Sequence, residues 1–163
     1  MKPSVIARFH DTYGEKVKFP EILKLEEGKA LEVVDALRIK LGIPLPLKQN
    51  KDLKLPSFST DEMFSAFENE MEVLKDVNPA PEKFSLKETL LKINIIPNEN
   101  IYYYFDALYT AKFEDINKYF YGLCKPGAGN IFIFDDSFEW ICCVMNNQVV
   151  GIVIAEEYKK KRY

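Results

Sequence analysis

The chain ends in three apolar runs, at about 130–135, 138–145 and 149–155, and these runs are apolar on both faces. On the middle run one face carries Phe138, Trp140, Cys142 and Val144, and the other carries Glu139, Ile141, Cys143 and Met145. Successive strand residues point to opposite sides of a sheet, so a sheet with one wet face alternates apolar with polar residues. That alternation is missing here. The last run repeats the pattern, with Val150, Ile152 and Ile154 set against Val149, Gly151 and Val153. Such a sheet must be covered on both sides, by its own chain or, on one side, by a partner. Coverage by the chain itself is the simpler expectation.

The first half supplies the cover. Between Pro20 and Leu41, residues Leu23, Ala30, Val33, Val34, Leu37 and Leu41 recur near a helical period, and Gly42 followed by Pro44 stops it. The main helix is expected from about Lys29, after Gly28. Residues 43–58, with prolines at Pro44, Pro46 and Pro56, read as an extended connector. Ser59-Thr60-Asp61-Glu62 and Ser85-x-x-Glu88 are capping boxes, opening helices that run to about Asp76 and about Lys92. The aromatic stretch Ile101–Phe105 reads as a strand, Phe113–Tyr121 as a short helix, and 122–129 as a loop. Helices first and strands later predict an α+β fold, with N-terminal helices packed on a C-terminal, mostly antiparallel sheet whose last part (130–155) is a meander. At 163 residues the chain fits a single domain spanning 1–163.

Charge and cysteine usage narrow the function classes. A net charge of −3 argues against nucleic acid as the main partner, because phosphate binding needs a basic face. No run is long enough to span a membrane, and the N-terminus lacks the apolar core of a signal peptide. The tail Lys159-Lys160-Lys161-Arg162 reads as a solubilising end. Cys124, Cys142 and Cys143 are odd in number, and two strand neighbours cannot bridge because they face opposite ways. Free thiols in a reducing cytoplasm fit best. With one histidine and no CxxC spacing, no structural zinc and no other cofactor is expected.

Asp135-Asp136-x-x-Glu139 is the densest group of carboxylates with apolar flanks. An Asp-Asp-Ser sequence between two strands favours a tight turn, because Asp and Ser side chains hydrogen-bond nearby backbone. A divalent-ion site is the weaker alternative, since the spacing lacks the calcium-loop pattern. Display to a basic cleft of another protein ranks second, after the turn and ahead of the ion site. His10 beside Asp11 reads as a capping or exposed histidine, and none of the cysteines has a nearby base that would make it a nucleophile. Lys125-Pro126-Gly127-Ala128-Gly129-Asn130 lacks phosphate-loop spacing and is read as a loop. The tyrosines of Ile101–Phe105 serve the core on one face, and any exposed ones suit a protein interface.

An aromatic strand, a short Phe-x-Asp helix (Phe113, Asp115), a Pro/Gly loop and then NIFIFDDSFEWICCVMNNQVVGIV follow one another over about residues 95–155. This order, carried by Phe134, Asp135, Asp136, Ser137, Phe138 and Trp140, resembles small bacterial immunity-type domains with a strand–Asp–x–Ser–x–x–Trp–strand–turn–strand pattern. The turn Asn146-Asn147-Gln148 departs from it, where a His or Gly beside an acidic residue is expected. The resemblance implies a non-catalytic cytoplasmic protein that binds and neutralises a cognate basic toxin. Asp135, Asp136, Glu139, Tyr103 and Asp106 are the candidate partner contacts. A structural or regulatory interaction module is the alternative, including a homo-oligomer paired through the second sheet face, and a carboxylate- or metal-dependent enzyme ranks last.

Overall fold

A computed structural model describes residues 3–41, 72–73, 84–124, 131–144 and 150–155. The expected connector 43–58, the capping box at Ser59–Glu62, the loop 125–129, the turn 146–148 and the basic tail lie outside them. Helix α1 (Pro3–Tyr13) opens on a proline, which suits the first helical position because it has no amide to leave orphaned there. Val5 and Phe9 lie one turn apart on its buried face. Gly14 closes it at φ +100, with its amide donating to the His10 carbonyl at 2.8 Å. His10 belongs to this helix end: its Nδ1 lies 3.2 Å from the Gly14 carbonyl oxygen.

The helix read across Pro20–Leu41 begins later than its periodicity indicated. Leu23–Lys24 form a short edge strand, β1, and helix α2 spans Glu27–Leu41. Leu23 is 57% exposed, so its place in the apolar period was coincidental, and what holds it is backbone pairing. From Ala30 onward the reading stands: Ala30, Val33, Val34 and Leu37 are buried along one stripe. The helix expected to reach about Asp76 does not include Glu72–Val73, which are extended as β2 and pair with the last strand. The second capping signature supplies its N-cap half. The Ser85 hydroxyl accepts from the Glu88 amide at 3.3 Å and starts α3 (Leu86–Lys92).

Five longer strands follow: β3 (Asn100–Tyr104), β4 (Leu108–Lys112), β5 (Ile131–Asp135), β6 (Trp140–Val144) and β7 (Val150–Ile154). Two short helices, α4 (Phe113–Lys118) and α5 (Phe120–Leu123), separate β4 from β5, with a break at Tyr119 in what reads from sequence as one helix. All seven strands form one antiparallel sheet in the order β1-β4-β3-β5-β6-β7-β2. The fold is α+β, and β5-β6-β7 is the expected meander. β4 was not anticipated. It pairs with β3 from Asn100↔Lys112 to Tyr104↔Leu108, forming a hairpin around Asp106.

The sheet is covered on both faces by the chain itself. One core joins Ile131, Ile133, Trp140, Cys142, Ile152 and Ile154 to Phe9 of α1, Leu86 and Leu90 of α3, and the short helices α4 and α5. The other joins Phe132, Phe134, Ile141, Cys143 and Val153 to the α2 stripe. Phe138 is the exception to the expected alternation. At φ +53 it leaves the strand conformation and packs on the α2 side, away from Trp140.

Helix α1 is locked to α5 by a close approach. The Tyr13 hydroxyl accepts from the Gly122 amide at 3.0 Å, while its ring packs on Phe9 and Tyr119 at centroid distances of 4.9 and 5.0 Å. A Cβ on Gly122 would fall 2.3 Å from the Tyr13 ring. Gly122→Ala should therefore destabilise the fold by about 1–3 kcal/mol, read as a lower urea midpoint at unchanged slope. Pairing it with Tyr13→Leu should recover part of that loss, because the clash is with this ring.

Candidate functional site

The end of β5 divides two neighbouring aspartates between opposite environments. Asp135 continues the Ile131/Ile133 side of the strand and is 1% exposed. Asp136 follows on the other side, in the turn, and is exposed. A buried carboxylate needs donors for its lone pairs, and Asp135 has four. Its Oδ2 accepts from the Asn98 amide and the Trp140 indole Nε1–H, both at 3.0 Å. Its Oδ1 accepts from the Ser137 amide at 3.0 Å and the Ser137 hydroxyl at 2.5 Å. The turn is completed by the Phe138 amide donating to the Asp135 carbonyl at 3.1 Å and the Glu139 amide donating to Ser137 Oγ at 3.2 Å. The turn reading of Asp-Asp-Ser is what the geometry displays, with the Trp140 indole as an added donor.

Asn98 ties both aspartates. Its backbone serves Asp135, and its side-chain Nδ2–H donates to Asp136 Oδ1 through a short hydrogen bond. Asp136 lies on the same sheet side as Phe134, whose ring packs on Tyr102 at 5.3 Å with a 37° tilt. Phe138 continues the aromatic row, 6.3 Å from Phe134 at 36°. The Tyr102 hydroxyl has its pKa raised by burial and, secondarily, by the Asp136 charge. Glu139 is partly exposed beside this row, and Ile96, two residues before Asn98, is 83% exposed. Among the described residues no lysine or arginine pairs with Asp136 or Glu139.

The five candidate contacts do not form one surface. Tyr103 is fully buried and donates its hydroxyl to the Leu123 carbonyl at 2.9 Å, so it serves the core. Asp135 is likewise consumed internally. Asp106 sits in the β3–β4 hairpin, at the opposite end of β3 from Asp136, and accepts from the Tyr109 hydroxyl at 2.7 Å. Burial, and then that carboxylate, push Tyr109 well above the ordinary phenol range. Asp136 and Glu139 remain together at the hairpin. Asn98 and Tyr102 were missed as members of this site. Tyr102 was legible as the strand neighbour of a buried tyrosine, but nothing in the sequence marks Asn98, which reaches the turn across 37 residues.

No group of three or more His, Cys, Asp or Glu side chains among the described residues is arranged to hold a metal ion. All three cysteines are unpaired and buried, Cys142 in the core under α1 and Cys143 in the core under α2. Burial pushes the Cys142 thiol from an ordinary 9.0 up to about 12, and raises Cys124 and Cys143 well above their usual value. A groove of ≈ 620 Å³ lies at the β1 edge, lined among others by Lys18, Phe19, Glu21, Lys112, Asp115 and Tyr119. Comparison of the chain with protein-family models, with curated proteins and with solved structures returns no match.

Two predictions follow from these placements. Asparagine at 135 would turn one carboxylate oxygen into an NH₂ facing donors, so Asp135→Asn should cost about 2–4 kcal/mol in urea unfolding. Asp136→Asn, at an exposed position, should stay within about 0.5 kcal/mol. Equal effects would show that the network does not hold the turn. The thiols act through pH. Their folded pKa values exceed the unfolded ones, so above about pH 9 the unfolded chain sheds protons that the fold retains. Stability should be level up to that point and then fall by about 1.4 kcal/mol per pH unit for each thiol. Urea titrations at pH 7.5 and pH 10 check this; unchanged midpoints would mean that the thiols are not protected.

Proposed function

We propose that this chain is a non-catalytic, cytoplasmic binding protein that neutralises a basic protein domain, a cognate bacterial toxin, by occupying it through the hairpin end of the sheet. The observation that carries the reading is the pairing of Asp136 and Glu139 with the partly exposed rings of Tyr102 and Phe138, backed by the buried Phe134, on a turn held from beneath. Carboxylates without internal cations attract a basic surface over distance, and tyrosine supplies contact area at small entropic cost. Buried, unpaired thiols are consistent with a reducing compartment. No helix among the described residues is long and apolar enough to cross a membrane.

Neutralisation is tested by co-expressing the chain with the product of the adjacent gene, which on this reading encodes a basic toxin domain. The expected outcome is rescued growth and a co-eluting complex. Asp136→Asn combined with Glu139→Gln should slow association roughly tenfold at low salt, with the difference shrinking as salt rises. A complex without rescue would favour the alternative, a regulatory interaction module. Absence of both rescue and complex would sink the proposal.

A further inference from the structure

The hairpin end has a geometry that selects among cations, and we infer that its ligand is an arginine side chain of the partner, held between the Asp136 carboxylate and the Tyr102 ring. This deepens the binding reading above and rests on it for the identity of the partner as a protein. Three features carry it. The Asn98 side-chain amide donates to Asp136 Oδ1, so one carboxylate oxygen is already tethered to the turn before any ligand arrives. The other oxygen, Oδ2, has no donor among the described residues, and no lysine or arginine of the described chain neutralises it.

Tyr102 lies on the same face of the sheet. Its register partner is Phe134, and Asp136 is the second residue beyond Phe134, which brings phenol and carboxylate to one side. The ring is partly exposed and backed by Phe134, which is itself backed by Phe138, both pairs tilted by less than 40°. The outer ring is therefore supported in one orientation and offers its open side to a flat group. A guanidinium is planar, can donate from its edge to a carboxylate and can stack its face on an aromatic ring. An ammonium can use the charge but gains little from a stacking surface.

The test uses the full chain labelled with ¹⁵N, titrated with a hexa-arginine peptide and separately with hexa-lysine. Hexa-arginine should bind about two- to fivefold more tightly, the size of an exposed cation–ring contact. Its shifts should centre on the Asn98 side-chain amide and the Ser137 backbone. Asp136→Asn should remove the preference, and Tyr102→Leu should remove it as well, whereas Tyr102→Phe should keep it. Because Asp136 is exposed, the first variant tests the site even if Tyr102→Leu folds poorly. Equal affinity for the two peptides, a preference that survives Asp136→Asn, or shifts centred elsewhere would each overturn the inference. These failures are separable from failure of the functional reading. A toxin domain that binds and is neutralised without arginine preference sinks only this inference. An arginine preference at Asp136 without a neutralised toxin sinks only the reading.

Discussion

The Asp135 carboxylate is the interaction on which the site end of this molecule depends. A charge almost wholly removed from water persists only when hydrogen bonds replace its hydration, and here two oxygens receive four of them. The donors come from three places: the segment before β3, the turn itself and the first residue of β6. One side chain therefore sets the hairpin, docks the Pro97–Asn98 segment and orients the Trp140 indole in the core. The indole is both a donor and the largest fully buried side chain, so polar satisfaction and packing are settled by the same contact.

The second constraint is the sheet with no wet face. Both sides of β5 and β6 are buried along their whole length, and the helices divide to meet them. Among the described residues, four helices share the side of Trp140 and Cys142, and α2 is the helix on the side of Phe134 and Cys143. A single helix covers less of a sheet than several do, and the α2 side is filled out by aromatic residues of the sheet and turn, namely Tyr102, Tyr104, Phe132, Phe134 and Phe138. The row that supports the candidate site is thus the margin of a core. Phe134 is buried within it, whereas Tyr102 and Phe138 pack against it from partly exposed positions.

Much of this was legible in the residues. The apolar pattern of 130–155 favoured a doubly covered meander, and the Ser85-x-x-Glu88 spacing placed the start of α3. Other elements were hidden for physical reasons. Leu23 fits a helical period but lies in an edge strand, because the backbone of β4 offers hydrogen bonds that periodicity cannot register. β4 was masked by its mixed composition; Leu-Tyr-Thr-Ala-Lys becomes a strand by pairing with β3 along five residues. Helix α1 carried signals that went unused, a proline at its start and a glycine at its end. At the site, sequence adjacency suggested that Asp135, Asp136 and Glu139 act together. Local pattern could not show which aspartate is spent inside, since that depends on Asn98 and Trp140.

Strand alternation makes the division of labour between the two aspartates unavoidable. Neighbours at the end of a strand face opposite sides, so once Asp135 turns toward Trp140, Asp136 must emerge beside Phe134 and Tyr102. Asn98 then couples the two, its backbone on the buried carboxylate and its side chain on the exposed one. An exposed carboxylate on an ordinary loop must surrender side-chain and loop entropy when it meets a cation, which cancels much of the gain. Asp136 stands on a turn hydrogen-bonded from below and is tethered to Asn98, so less of that entropy is left to lose. On the proposed reading, the buried aspartate would contribute to recognition without touching a partner: it holds the turn from which its neighbour is displayed.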